Sequence, residues 1–344
     1  MVNNHLREVR DNKVVQGSSS DTERKVISIL KVLSESSEPL GSITIARELE
    51  RYGIFLSERA IRYHLRITDE RGYTHPMGRD GRMLTPQGAE ELQMALAPDQ
   101  VGFILDKLEL LAFRTTFNPE DKSGLVPIYT SLFDAGNFDK ALVIMKEVFR
   151  SGLAVSDLVI TASEGQKIGS VVVPQGKVGL GTVCSVVVNG VLLKAGIPIE
   201  SRFGGVLEIR NNKPRRFVAL INYSGTSLDP SEQYIRARMT TVGDAAHKGS
   251  GKILANFREI PAPARSQVDE KLFQLKAVGI NGVYLLGNTS ESICQISVGL
   301  NRVGLVMLGG LNPVSAVVEA GIGVENMAES GLVEYSQLSN IQSL

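Results

Sequence analysis

The chain is short of the residues that build metal sites, disulfide scaffolds and membrane spans. It holds two cysteines in 344 residues, Cys184 and Cys294, which lie 110 positions apart with no CxxC pair. That excludes a zinc ribbon or a thioredoxin-like motif, and it argues against a disulfide framework, as fits a reducing cytoplasm. Four histidines, His5, His64, His75 and His247, are scattered without metal-ligand spacing. No HExxH, GxSxG or GxxxxGK[ST] string occurs. Gly179-Leu180-Gly181 opens a GxG, but Cys184 stands where a dinucleotide fingerprint needs its third glycine, so a Rossmann site is weakly supported. The longest apolar runs, such as residues 303–308, fall far short of the ~18 residues of a membrane helix. The first twenty residues are polar, with no apolar signal core. An excess of charge is lacking too. Lys plus Arg and Asp plus Glu number 37 each, which excludes a broadly polybasic chain but leaves room for a local basic surface. With no recognisable catalytic apparatus, the sequence favours binding over chemistry. No metal, no cofactor and no enzymatic activity are expected.

What is present is ordinary for a globular protein: 43% hydrophobic and 22% charged residues, with length enough for about two domains at roughly 150 residues each. Residues 1–20, ending in Gly17-Ser18-Ser19-Ser20, read as a flexible tail. Residues 21–97 read as helices with short breaks. Val26, Ile27, Ile29, Leu30 and Leu33 recur at helical spacing until Pro39 and Gly41. Ser42 opens a second helix with Ile45, Ala46 and Leu49 inward, and Gly53 stops it. Ser57 and Glu58 start a third, closed by Gly72. A strand, an Asp80-Gly81 turn and a second strand follow, and Thr85-Pro86 opens a fourth helix. Three helices and a β-wing make a winged helix-turn-helix, in which the third helix reads DNA. Arg59, Arg62, Tyr63 and Arg66 fall on one face of that helix, and Ile61, Leu65 and Thr68 on another. Arg79 and Arg82 lie on the wing. Between residues 59 and 82, six arginines face three acids, a local charge of +3. A solvated arginine face on a protein-docking module is the competing reading. Salt dependence separates the two, because phosphate contacts lose affinity steeply as salt rises.

Beyond Pro98 the chain turns to Val/Ile/Leu/Gly segments and holds 27 of its 34 glycines. Lys177-Val178-Gly179-Leu180 recurs 125 residues on as Arg302-Val303-Gly304-Leu305. Ala195-Gly196-Ile197-Pro198-Ile199-Glu200 recurs at the same offset as Ala320-Gly321-Ile322-Gly323-Val324-Glu325. Residues 98–344 are thus expected to form one mixed α/β domain built from two related halves, about 123–208 and 250–335, with a pocket at their seam. Two polar strings are candidate ligand loops. One contains Thr182, Cys184 and Ser185; the other contains Ser224, Thr226 and Ser227. Glycine-rich backbone there could approach an anion, and Arg202, Arg216, Arg236 and Arg258 are available counter-charges. The same strings also fit plain turns. Cys184, with no base nearby in sequence, reads as a small buried residue rather than a nucleophile.

Taken in order, five segments carry a family resemblance. They are Phe113-Arg114-Thr115-Thr116-Phe117, Gly179-Leu180-Gly181-Thr182-Val183-Cys184-Ser185, Lys194-Ala195-Gly196-Ile197-Pro198, Phe203-Gly204-Gly205-Val206-Leu207-Glu208 and Tyr223-Ser224-Gly225-Thr226-Ser227-Leu228-Asp229-Pro230. Behind a winged helix, they resemble the archaeal global nitrogen regulator family, NrpR, over nearly the whole chain after the tail. The resemblance implies a transcriptional repressor of nitrogen-fixation and nitrogen-assimilation genes. It would bind inverted-repeat operators as a homodimer or higher oligomer and be released by 2-oxoglutarate. One winged helix with one effector domain matches the DNA-binding member of a two-protein system, whose partner is an NrpR protein lacking the winged helix. On the chemistry, Thr182, Cys184, Ser185, Arg202, Ser224, Thr226 and Ser227 are the effector-binding candidates. A metabolic enzyme carrying a regulatory DNA-binding head is the alternative.

Overall fold

The computed structural model describes residues 21–36, 38–50, 53–95 and 103–344. The tail expected over residues 1–20 lies outside them. The chain divides into two compact units, residues 1–100 and 101–344.

In the first unit, α1 (residues 21–34), α2 (Ser42–Glu50) and α3 (Glu58–Glu70) precede β1 (Thr74–Pro76), β2 (Arg82–Leu84) and α4 (Pro86–Ala95). Ile29 and Leu33 of α1, Ile45 and Leu49 of α2, and Ile61 and Leu65 of α3 share one buried core. Helix α3 begins where the Ser57 hydroxyl accepts the Ala60 N–H at 3.3 Å, satisfying one of the donors a helix start leaves open. Thr85 does the same for α4, accepting the Gly88 N–H at 3.0 Å and donating to the Gly72 carbonyl at 2.7 Å. One bridge has no sequence signal. Leu40 pairs with Arg82 through two N–H···O bonds of 3.0 Å, so the wing hairpin gains a third partner between α1 and α2. Gly81 makes this possible. Its φ is +120°, and a Cβ there would lie 2.2 Å from the Leu40 carbonyl oxygen.

The second unit opens with α5 (Phe103–Arg114), then β3 (Leu125–Asp134), α6 (Phe138–Arg150) and β4 (Leu158–Ala162). The small hairpin β5 (Lys167–Ile168) and β6 (Val171–Val172) leads to β7 (Lys177–Val183), α7 (Val186–Lys194) and β8 (Glu200–Arg210). A middle segment follows: β9 (Lys213–Asn222), α8 (Pro230–Arg236) and α9 (Val242–Lys248). The chain ends with β10 (Gly251–Pro261), α10 (Arg265–Ala277), β11 (Val283–Thr289), β12 (Arg302–Leu308), α11 (Asn312–Glu319), β13 (Val324–Glu334) and β14 (Ser339–Asn340). Two five-stranded antiparallel sheets result, in the orders β13-β3-β7-β4-β14 and β11-β12-β10-β8-β9.

The order β3-α6-β4-β7-α7-β8 reappears as β10-α10-β11-β12-α11-β13. Each of these stretches gives its last strand to the other's sheet: β8 pairs with β10, and β13 with β3. The left-handed residues Gly165, Gly169 and Gly176 are matched 125 positions later by Ser290, Cys294 and Asn301, also at positive φ. Charges fasten both exchanged strands. Lys177 bonds Asp134 and Glu325, and Arg302 pairs with Glu200 and Glu259. Helices α7 and α11 are buried over almost their full length, so their sequences show apolar runs rather than stripes.

One sequence expectation changes. Residues 179–183, expected in a ligand loop, form the central strand β7, paired to β3 on one edge and β4 on the other. Gly179 and Gly181 make room for side chains, not for an anion. A Cβ on Gly181 would sit 2.5 Å from Ile160, and one on Gly179 would sit 2.8 Å from Val173.

Candidate functional site

On α3, Arg59, Arg62, Tyr63 and Arg66 are all exposed, while Ile61, His64, Leu65 and Thr68 are buried. Arg62 pairs with Glu58 one turn away, and Arg66 lies 3.7 Å from Glu70 with its guanidinium 5.9 Å from the Tyr63 ring centre. Exposed pairs of this kind are weak, so these arginines can exchange carboxylates for phosphates at little cost. His64 meets the Tyr63 ring edge-on; burial, then Lys25, lowers its pKa, which favours the neutral imidazole. Arg79 stands exposed in the wing turn. Arg82 is placed differently. Its Nε donates to both Asp69 oxygens, at 2.8 and 3.1 Å, so it fastens the wing to α3.

Six of the seven effector candidates are engaged within the protein, and the two strings meet where Asn256 bonds both the Tyr223 hydroxyl, at 2.7 Å, and Ser185, at 3.2 Å. Thr182 is buried and donates to the Gly310 carbonyl at 3.1 Å. Cys184 is buried, and burial pushes its thiol up to about 11, which leaves it protonated and unreactive. The Ser185 hydroxyl lies 3.2 Å from both Asn256 Nδ2 and a terminal nitrogen of Arg258. These three share the junction of β7 and α7. Ser224 bonds the Asn222 side chain at 2.9 Å, and Thr226 donates to the Leu228 carbonyl at 3.1 Å. Ser227 lies in the same loop, which folds on itself and delivers Asp229 to cap α8 through the Ser231 N–H at 2.7 Å. Arg202 is committed to Glu259 at 3.2 Å and Glu200 at 3.5 Å.

A cleft of about 600 Å³ opens instead under α5. Lys107 and Arg114 reach it from that helix, beside Ile104, Leu108 and Leu111. Tyr129 of β3, Gly169-Ser170 of the small hairpin, Asp229 and Gly331-Leu332 of β13 complete the wall. Two cations, a serine hydroxyl and apolar surface suit a small anion. Burial raises the Asp229 carboxyl, and burial together with the neighbouring Asp229 and Cys184 raises the Tyr129 hydroxyl well above its usual range. Five separate segments supply this lining. Asp229 and Arg114 sat in strings singled out by sequence, Arg114 only for the family resemblance, while nothing local marked Lys107. Among the described residues, no group of three or more His, Cys, Asp or Glu is gathered to hold a metal, and no helix is long and apolar enough to cross a membrane.

A family model described as NrpR regulatory domains NRD1 and 2 matches residues 101–340. The chain belongs to the NrpR family. Residues 27–92 match a second model, the ribonuclease R winged-helix domain. The global nitrogen regulator NrpRI of Methanosarcina mazei is 41% identical over 93% of this chain and 98% of its own length. The global nitrogen regulator NrpR of Methanocaldococcus jannaschii is 31% identical over 94% of this chain, which spans 56% of that longer protein. A crystal structure of a nitrogen repressor-like protein from Methanococcus jannaschii superposes with a TM-score of 0.60 at 28% identity, covering 69% of this chain and 98% of its own. The NrpR resemblance of the sequence strings is therefore established, and so is the order of a winged helix followed by a mixed α/β regulatory region.

Proposed function

We propose that the chain is a transcriptional repressor of nitrogen-fixation and nitrogen-assimilation genes. It binds an inverted-repeat operator as a homo-oligomer and releases it when 2-oxoglutarate enters the α5 cleft. Support for DNA binding comes from the exposed Arg59, Arg62, Tyr63 and Arg66 on α3, with Arg79 at the wing tip. Arg82 acts by holding the wing in place. Support for the effector comes from one observation above all: both cations of the cleft, Lys107 and Arg114, project from α5. That is the first helix of the second unit, and the winged-helix unit precedes it directly in the chain. A dicarboxylate that binds α5 therefore acts on the first helix that follows the winged-helix unit in the chain. A 100-fold loss of operator affinity requires about 2.7 kcal/mol of coupling, within reach of two charge-assisted contacts that differ between states. The reading moves the effector from Thr182, Cys184, Ser185, Arg202 and the residue 224–227 loop to the α5 cleft. A second NrpR protein lacking the winged helix is a further partner under this reading.

Calorimetric titration of 2-oxoglutarate into the full chain tests it, with glutamate and succinate as controls and operator release as the second readout. Saturable binding that prefers the 2-keto acid and weakens in Arg114→Ala is the expected result. Equal affinity in Arg114→Ala would place the effector elsewhere. Turnover of the acid would favour the enzyme reading.

A further inference from the structure

Arg258 of β10 is 1% exposed, among the largest fully buried side chains. Every acceptor it meets is neutral: the Ser185 carbonyl at 3.1 Å, the Ser185 hydroxyl at 3.2 Å and the Asn189 side-chain oxygen. Its Nε has no partner, and no carboxylate lies within ion-pair distance of it among the described residues. The contrast with its chain neighbour is sharp. Glu259 is equally buried and is met by Arg202 and Arg302. A lone ion taken into the interior costs several kcal/mol. Most groups escape by changing protonation, but a guanidinium cannot. The charge therefore persists, and in a medium of low dielectric its field reaches further than in water.

A short chain of contacts links that charge to the wall of the cleft. Arg258 sits at the start of α7, whose free N–H groups add positive potential of their own. The preceding turn is tied to β3 by the Cys184 N–H to the Pro127 carbonyl at 2.9 Å, and Cys184 packs in one cluster with Tyr129. Tyr129 also lines the cleft.

We propose that Arg258 is the specificity-determining charge of the α5 cleft, lying beneath its floor without touching the ligand and selecting dianions over monoanions. This rests on the cleft being the effector site. A bound dicarboxylate supplies the counter-charge the interior lacks, and the acid with two negative charges gains more from it than the acid with one.

The test uses the full chain and isothermal titration with 2-oxoglutarate and its monoanionic relative 2-oxobutyrate. Arg258→Met removes the charge and keeps an apolar side chain, while leaving the buried Ser185 and Asn189 acceptors without their donor, so circular dichroism first establishes that it is folded. Arg258→Gln is the second neutral variant should the first fail to fold, and Arg258→Lys restores the charge. The expected result is a loss of affinity for 2-oxoglutarate on the order of tenfold or more in the neutral variants. The preference over 2-oxobutyrate should narrow in them, with Lys107 and Arg114 still in the wall, and be recovered in Arg258→Lys. Unchanged dianion preference in a folded neutral variant overturns the assignment. So does Arg258→Lys behaving like Arg258→Gln, which would make the role one of shape. If the wild-type chain binds neither acid, the cleft reading fails and this one with it; wild-type binding with unaltered variants removes only the role of Arg258.

Discussion

Replacing Gly81 with alanine should destabilise the winged-helix unit and leave the regulatory unit intact. The methyl group would sit 2.2 Å from the Leu40 oxygen and 2.6 Å from the Gly41 nitrogen. Both are backbone atoms, so no side chain can swing aside. The Leu40–Arg82 bridge must part, which loses two hydrogen bonds worth about 1 kcal/mol each. Holding alanine at φ +120° adds on the order of 1–3 kcal/mol. Together these reach about 3–5 kcal/mol. A unit of about 75 residues has roughly 4–11 kcal/mol in all, so most of its stability is at stake. Gly78 is the internal control. It too has positive φ, but nothing lies within 4 Å of its Cβ position, so alanine there costs about 1–2 kcal/mol of backbone strain alone. Differential scanning calorimetry on the full chain reads the difference. At about 4–8 °C per kcal/mol, the winged-helix transition should fall by more than ten degrees in Gly81→Ala and by a clearly smaller shift in Gly78→Ala. Operator affinity should fall with it in Gly81→Ala, while 2-oxoglutarate binding stays unchanged. Equal shifts in the two variants would refute the clash and leave only backbone strain.

Arg62→Ala and Arg66→Ala should each weaken operator binding and reduce the slope of log affinity against log salt by about one; unchanged slopes would mean that α3 does not meet phosphates. Arg82→Ala should instead lower the melting temperature of the first unit, because Asp69 loses its clasp, and circular dichroism would show this without DNA. Asp229→Asn retains an α8 cap but removes a carboxyl whose pKa burial raises. A raised acid contributes stability at low pH and loses it as pH climbs through its folded pKa, so at pH 7 the asparagine variant should be at least as stable as wild type. It should also bind 2-oxoglutarate more tightly. Wild-type affinity should rise as acidification protonates Asp229 beside Tyr129, Lys107 and Arg114, and a calorimetric pH series should be flatter in Asp229→Asn. Glu259→Gln, at 2% exposure between Arg202 and Arg302, should cost about 1–3 kcal/mol in a urea melt.

Features written into neighbouring residues were legible in the sequence. Ser57 begins α3 and Thr85 begins α4 because a hydroxyl three residues ahead of an open N–H caps it wherever it occurs. The arginine face of α3 follows from helical spacing alone. The 125-residue recurrence likewise marked two stretches that share their element order. The string around Gly179 misled, because glycines that admit a neighbour's side chain look the same in sequence as glycines that admit a ligand. Only the tertiary structure showed that β8 and β13 change places, that Arg82 belongs to Asp69, and that Lys107, Tyr129, Ser170, Asp229 and Leu332 enclose one cleft. These are meetings of residues as much as 225 positions apart (Lys107 and Leu332), set by which strand lies beside which, and strand order leaves no mark on the spacing of residues along the chain. The lone charge of Arg258 is the clearest case. An arginine in the sequence is a surface residue by default; it became a buried, unpaired cation only because β10 carries it to the start of α7, where no carboxylate follows.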